Sequence, residues 1–215
     1  MTQAVRGDRL EALCLLALLG LRQGEVLGLC WPDVDLENGQ LEVRQALQRV
    51  RPARPGEEGE VGYRLGDPKT AESQRPVKLP PTAVSCLRAH RRRQMQERLA
   101  AARWENNWDL VFTTPQGAPL NGRVLLAGFQ RKLGEAGLPK VRFHDLRPAC
   151  SSLLQAKGIS PRVVQDQLGH SDLAMTLRYT KVLPELAEAA AQRMEEVLGE
   201  AGEEEGGCLD GAAKE

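Results

Sequence analysis

The most informative feature of the chain is LGHSDLAMTLRY, residues 168–179, which follows the shorter motif HDLR at residues 144–147. Together the two motifs place two histidines, an arginine and a tyrosine in an order that suits phosphoryl transfer. Two upstream residues complete the set. Arg22 lies in GLRQGE, residues 20–25, and Lys69 lies in PKT, residues 68–70.

The tyrosine and the two arginines suit the cleavage of a nucleic-acid strand without hydrolysis. A tyrosine hydroxyl such as that of Tyr179 has an ordinary pKa of about 10, so it attacks a phosphodiester only if it loses its proton during the attack. A guanidinium group is planar and permanently charged, and it donates two hydrogen bonds to one phosphate. Arg22 and Arg147 would therefore clamp the phosphate oxygens that gain charge in the transition state.

The remaining groups supply proton transfer. The leaving alkoxide is strongly basic, and Lys69 would act as the general acid that protonates it. His144 and His170 would orient the phosphate or exchange the tyrosine proton near neutral pH. A phosphotyrosine preserves the energy of the phosphoester, so rejoining would require neither ATP nor a metal ion. The sequence therefore predicts no cofactor and no metal site.

In these motifs the chain resembles the catalytic domain of the tyrosine recombinase, or phage integrase, family over roughly residues 10–185. In that family an arginine lies in a G-L-R-x-x-E motif, a lysine on a β-hairpin and H-x-x-R on a helix, and L-G-H precedes the nucleophilic tyrosine. The resemblance implies that six residues take the catalytic roles, with Tyr179 as the nucleophile and Glu25 as structural support: Arg22, Lys69, His144, Arg147, His170 and Tyr179.

The resemblance also implies the fold and the activity. The expected fold is α+β and mainly α, a helical catalytic domain with a small antiparallel sheet. The expected activity is site-specific recombination of double-stranded DNA, as in integration or excision by a phage or mobile element. It would proceed by strand cleavage and rejoining through a 3′-phosphotyrosyl intermediate, in a homo-oligomer, a tetramer, assembled on the DNA.

Two features depart from the family pattern. Family members usually carry a helical core-binding domain before the catalytic one, whereas only about eight residues precede the first helical pattern here, so that domain is expected to be absent. Pro148-Ala149 also replaces the usual polar pair after the second arginine. A proline in the first helical turn lacks an N–H that has no intrahelical acceptor anyway, so we expect the helix to continue through Pro148.

The charge distribution agrees with a polyanion-binding domain in residues 1–183. The formal net charge is zero, but residues 1–183 hold 27 Lys and Arg against 19 Asp and Glu, a net of +8. Residues 184–215 hold 2 basic and 10 acidic residues, a net of −8. We therefore expect a catalytic domain at 1–183, a C-terminal helix at 184–198 resembling the segment that family members lend to a neighbouring protomer, and an acidic disordered tail at 199–215. With no apolar run long enough for a bilayer, a cytoplasmic protein without a membrane partner is expected.

The local patterns predict a mainly helical chain. Helical spacing covers 9–19 and 24–30 around a break at Gly20, and strand patterns cover 41–45, 75–79 and 110–112. Residues 51–67 read as an exposed loop or hairpin extension, which would place Lys69 near a hairpin turn. Further helices are predicted over 82–102, capped by Thr82, and over 121–137, 145–157 and 171–179, and another is predicted to start at Ser160-Pro161.

Simpler interpretations remain for each residue alone. Arg22 would merely pair with Glu25, Lys69 would be a solvated lysine, and the pair His144 and Arg147 would only stabilise a helix start. His170 would be a core histidine, Tyr179 would pack at the surface, and the basic helix 88–98 would be a solvated face. Two rival functions also remain, a topoisomerase IB-like nick-and-reseal activity and a catalytically idle DNA-binding remnant.

Overall fold

The computed structural model describes residues 2–50, 62–67 and 74–169. The predicted helices at 171–179 and 184–198 and the acidic tail lie outside the described residues, as do Lys69, His170 and Tyr179. Within the described part, the chain begins with a short 3₁₀ turn, Thr2–Val5, and two helices, α1 at Glu11–Leu18 and α2 at Gln23–Leu27. The two helices predicted around Gly20 are confirmed, and α2 is shorter than expected.

Five short antiparallel strands follow α2, in two separate sheets. The first sheet has the order β1-β2-β5, with β1 at Val34–Asp35, β2 at Gln40–Val43 and β5 at Arg75–Lys78. The second pairs β3, Ala46–Val50, with β4, Gly62–Gly66. The strands predicted in 41–45 and 75–79 are confirmed. The hairpin expected around Lys69 is not formed by its flanking strands, because β4 pairs with β3 and β5 pairs with β2.

The rest of the described chain contains four α-helices: α3 at Pro81–Ala100, α4 at Gly122–Glu135, α5 at Leu146–Ala156 and α6 at Pro161–Leu168. The caps of α4 and α6 agree with the sequence patterns. The Asn121 side chain accepts a hydrogen bond from the Arg123 N–H at 2.9 Å, and the Ser160 hydroxyl accepts one from the Val163 N–H at 3.4 Å. Helix α5 continues through Pro148, as expected.

Two local predictions are wrong. Thr82 does not cap α3, because the helix already begins at Pro81, where a proline at the first position has its φ preset and needs no N–H acceptor. Residues 110–112 do not form a strand in the described structure; Leu110 makes only an isolated bridge to Cys30. The three residues are nevertheless fully buried. A short apolar run has the same sequence pattern in a strand and in a buried connection, so the pattern could not distinguish the two.

The main core lies between α1, the three-stranded sheet, α3 and α4, where leucine, valine and phenylalanine side chains are buried. A second, smaller cluster joins α5 to α6 through Cys150, Val164 and Leu168. The predicted fold, mainly helical with a small amount of antiparallel sheet, is thus confirmed. Among the described residues, every helix is too short or too polar to cross a membrane.

A buried polar network ties α3 to the segment that follows it. The Trp31 indole donates to Gln94 Oε1 at 2.7 Å, and Gln94 Nε2 donates to the Leu110 and Val111 carbonyls at 3.0 Å. His90 Nε2 lies 2.8 Å from the Val111 carbonyl oxygen. Burial lowers the pKa of His90 to about 4, so its imidazole is neutral at neutral pH and donates to that carbonyl.

Candidate active site

Arg22 lies at the junction between α1 and α2. Gly20 has a φ of +98° and turns the chain after α1, so Arg22 becomes the extended residue immediately before α2. Its backbone N–H donates to Glu25 Oε2 at 2.9 Å, and its guanidinium Nη1 donates to Glu25 Oε1 at 2.6 Å. The pairing of Arg22 with Glu25 is therefore real, and it fixes the start of α2 as a capping box.

Glu25 is the anionic centre of this region. Its side chain is 2% exposed, and it accepts from two guanidinium groups, those of Arg22 and Arg75. Burial by itself raises the pKa of the Glu25 carboxyl, but the charge of Arg75 and the hydrogen bonds from Arg22 outweigh it, so the pKa is lowered. Glu25 is thus a carboxylate at neutral pH, as its expected supporting role requires.

Arg147 reaches the same place from the first turn of α5. It is 5% exposed, and its guanidinium donates to the carbonyl of Gly20 and, at 2.5 Å, to that of Leu168. Burial, together with the charges of Arg22 and Arg75, lowers the pKa of Arg147 to about 9. That value is still above neutral pH, so the guanidinium keeps its charge.

Arg75 is the third guanidinium group of the cluster, and the sequence interpretation missed it. It is 8% exposed on β5; its Nε donates to the Gln167 carbonyl at 2.8 Å and its Nη2 lies 3.3 Å from Glu25 Oε2. One signal was present: Arg75 has the same parity as Val77 on the strand, so it falls on the buried face. A charged residue there requires a buried partner.

The three guanidinium groups meet at the C-terminal end of α6. Arg75, Arg147 and Arg22 donate to the carbonyls of three consecutive residues, 167, 168 and 169, at 2.8, 2.5 and 3.1 Å. These are carbonyls at the end of a helix, which lack intrahelical donors and carry partial negative charge. Gly169 adopts the left-handed conformation that ends α6, and the chain then continues into His170. Among the described residues, three cations and one carboxylate therefore converge here, a formal net charge of +2.

His144 lies close to this cluster in sequence but differs in environment. It belongs to a 3₁₀ turn, Phe143–Asp145, immediately before α5, and its side chain is exposed, whereas Arg147 is buried. The family resemblance implies that both residues of the H-x-x-R motif lie on a helix, but the α-helix begins only at Leu146 and therefore holds Arg147 alone. The neighbouring Asp145 pairs with Arg142 at 3.1 Å, which is the main reason its pKa is lowered.

The described residues thus bring Arg22, Glu25 and Arg147 together and place His144 at the adjoining surface. Within 2–50, 62–67 and 74–169, no group of three His, Cys, Asp or Glu side chains is arranged to hold a metal ion. A cluster of guanidinium groups with excess positive charge can bind an oxyanion such as a phosphate, through charge-assisted hydrogen bonds.

Comparison with known proteins decides the family. The sequence model of the phage integrase family matches residues 3–186, which is most of the chain. The chain belongs to the phage integrase family. The match includes the positions of all six predicted catalytic residues and of Arg75.

Individual family members agree with this assignment. A tyrosine recombinase XerC-like protein of Caldanaerobacter subterraneus subsp. tengcongensis is 35% identical over 91% of this chain and 51% of its own length. The integrase of the Tn1549 transposon, solved in complex with circular intermediate DNA, superposes with a TM-score of 0.71 at 23% identity, over 90% of this chain and 63% of that one. The XerH site-specific recombinase bound to a palindromic difH substrate has a TM-score of 0.59 at 26% identity, over 91% and 48%.

The phage integrase fold is therefore shown for this chain. The chain spans about half the length of the curated relatives that it matches.

Proposed function

We propose that the chain carries the catalytic domain of a site-specific DNA recombinase of the tyrosine type. The observation that supports it best is the convergence of Arg22 and Arg147 at the end of α6, directly before His170. Two such guanidinium groups suit the two non-bridging oxygens of one phosphodiester. The relatives solved with DNA, the Tn1549 integrase and XerH, support double-stranded DNA as the partner.

In the proposed reaction, the hydroxyl oxygen of Tyr179 attacks the phosphorus atom and the bond from phosphorus to the 5′ oxygen breaks. Lys69 donates a proton to the leaving 5′ oxygen, and the tyrosine proton passes to His144, His170 or solvent. Arg22 and Arg147 stabilise the charge on the phosphate oxygens in the transition state. Attack of a second 5′ hydroxyl on the 3′-phosphotyrosine reverses these steps and releases the enzyme.

The proposal extends to a tetramer on the DNA. Exchange between two duplexes breaks four strands, and each chain offers one Tyr179. Four chains are therefore needed for one complete exchange. Light scattering of the protein with its DNA site tests this, and a stable one-to-one complex that still completes strand exchange would contradict it.

The catalytic proposal is tested by trapping the covalent intermediate. The full chain is incubated with a nicked suicide duplex whose sequence is randomised around the nick, and adducts that resist detergent are separated and their DNA sequenced. We expect an adduct with the wild-type chain and none with Tyr179→Phe, which lacks only the attacking oxygen. Peptide mapping should place the nucleotide on residue 179.

Two other outcomes would replace the proposal. If no adduct forms while salt-sensitive DNA binding persists, the chain is an idle binding protein, because phosphate contacts alone produce that salt dependence. If adducts form but each strand rejoins only to itself, relaxing supercoiled DNA without exchange, the activity is that of a nick-and-reseal enzyme.

A further inference from the structure

Arg75 is built into the cluster more firmly than an ordinary ion-paired arginine. It lies on β5 opposite Val43 of β2, and its side chain points to the buried side of the sheet beside Val77. Its pKa is lowered by burial, and the charge of Glu25 opposes that shift. Burying a permanent cation is costly unless its hydrogen bonds are satisfied. The contacts of Arg75 must therefore offset the cost of its burial.

Two of its contacts lie on different elements. One edge of the guanidinium, Nε, holds the Gln167 carbonyl at the end of α6, and Nη2 holds Glu25 Oε2 in α2. Glu25 uses its other oxygen, Oε1, for the guanidinium of Arg22. Arg75 therefore joins the helix that leads to His170 to the carboxylate that aligns Arg22.

We propose that Arg75 is a positioning residue for the strand-cleavage reaction. It fixes Glu25, and through Glu25 the guanidinium of Arg22, while it holds the end of α6 in register with Arg147. The proposal rests on the proposed function for the reaction that it serves. The linkage between Arg75, Glu25 and Arg22 can be measured without any reaction.

The geometry explains why arginine suits this position better than lysine or glutamine. The Gln167 carbonyl and Glu25 lie at two edges of one planar group, and a guanidinium donates along both edges at once. A lysine offers a single nitrogen and would satisfy either the Gln167 carbonyl or Glu25. A glutamine carries no charge, so Glu25 would keep Arg22 as its only cation among the contacts described above.

The test compares three variants of the full chain, Arg75→Gln, Arg75→Lys and Glu25→Gln, together with the double variant of Arg75→Gln and Glu25→Gln. The matched control is Arg44→Gln, immediately after β2, where an exposed arginine pairs with Glu42 at 2.5 Å and lies away from the cluster. The first readout is the NMR signal of the Arg22 side-chain Nε–H, recorded without DNA. The second is the rate of covalent adduct formation on a nicked duplex that the wild-type chain cleaves.

We expect Arg75→Gln to shift the Arg22 signal and to slow adduct formation about 10- to 100-fold, the range for one charged hydrogen bond. Affinity for the same DNA should change less than about 3-fold, because phosphate contacts spread over many residues dominate binding. Arg75→Lys should recover part of the rate. The double variant should lose clearly less than the product of the two single losses, since both variants break the contact between Arg75 and Glu25. Arg44→Gln should match the wild type in both readouts.

Either of two results would overturn the inference: an Arg22 signal unchanged by Arg75→Gln, or rate losses of Arg75→Gln and Glu25→Gln that multiply in the double variant. A general loss of folding would instead lower the thermal midpoint and move signals throughout the spectrum, which the same spectra record. Should the wild-type chain form no adduct, the proposed function fails, while the Arg22 signal still decides whether Arg75 aligns Arg22 through Glu25.

Discussion

Gly20→Ala should destabilise the protein by more than the usual cost of replacing a glycine. A Cβ at position 20 would collide with Leu168 Cδ2, and the Leu168 side chain has no free space to move into because it is fully buried. The φ of +98° adds a backbone cost of about 1–2 kcal/mol for a non-glycine residue. Forcing an extra methyl into a packed site costs about 1–3 kcal/mol. The expected loss of unfolding free energy is therefore about 2–5 kcal/mol.

Urea unfolding followed by circular dichroism measures this loss, and Gly158→Ala is the matched control. Gly158 also has a positive φ, +78°, but a Cβ there would meet no atom within 4 Å. It should therefore cost only the backbone share, about 1–2 kcal/mol. The difference between the two variants isolates the collision with Leu168. Equal losses in the two variants would refute the steric argument.

A second comparison tests the same collision. Shortening Leu168 to alanine removes the atoms that the new methyl meets, although it leaves a cavity and is costly by itself, about 2–5 kcal/mol. Gly20→Ala should then cost less in the Leu168→Ala background than in the wild type, because the two changes compensate. Since the Gly20 and Leu168 carbonyls both accept from Arg147, Gly20→Ala should also slow any adduct formation.

Two further predictions concern pH and the transition state. His90 has an unfolded pKa of about 6.5 and a folded pKa of about 4, so the unfolded chain takes up the proton first as the pH falls. The contribution of neutral His90 to the free energy of unfolding is therefore fully present above pH 6.5, and about 3 kcal/mol of it should be lost toward pH 4. Urea titrations at pH 7, 5.5 and 4.5 measure this dependence on pH, and His90→Gln should weaken it. Arg147→Lys should reduce adduct formation at least about 100-fold while DNA affinity changes only a few-fold, because its guanidinium matters most in the transition state; equal losses in rate and affinity would contradict that role.

Local signals predicted much of the described fold. Asn121 and Ser160 begin helices because their side chains satisfy free N–H groups, and Gly137 and Gly158 follow helices because glycine accepts a positive φ. Each of these effects depends on a few neighbouring residues. They can therefore be read from a short window of sequence.

The parts that failed depend on contacts distant in sequence. Arg75 read as an ordinary strand residue, because its importance arises only when β5 packs against the end of α6. Residues 110–112 were predicted as a strand because they form a short apolar run, which is also what a buried connection requires. They are buried, yet only Leu110 forms a β-bridge, to Cys30. The proximity of Arg22 and Arg147 was expected only from the family resemblance, because nothing within either motif requires the two residues to meet.

The positive charge of the arginine cluster must be balanced by nearby negative charge. Arg75 and Arg147 are buried, Arg22 joins them, and Glu25 supplies one negative charge for the three. The carbonyls of residues 167–169 offset part of the excess, because the end of α6 carries partial negative charge. A helix end compensates about half of one charge, so among the residues that the structure describes an excess of more than one positive charge remains. A phosphodiester carries one negative charge and accepts bidentate hydrogen bonds from guanidinium groups, so it would complement this excess better than water does.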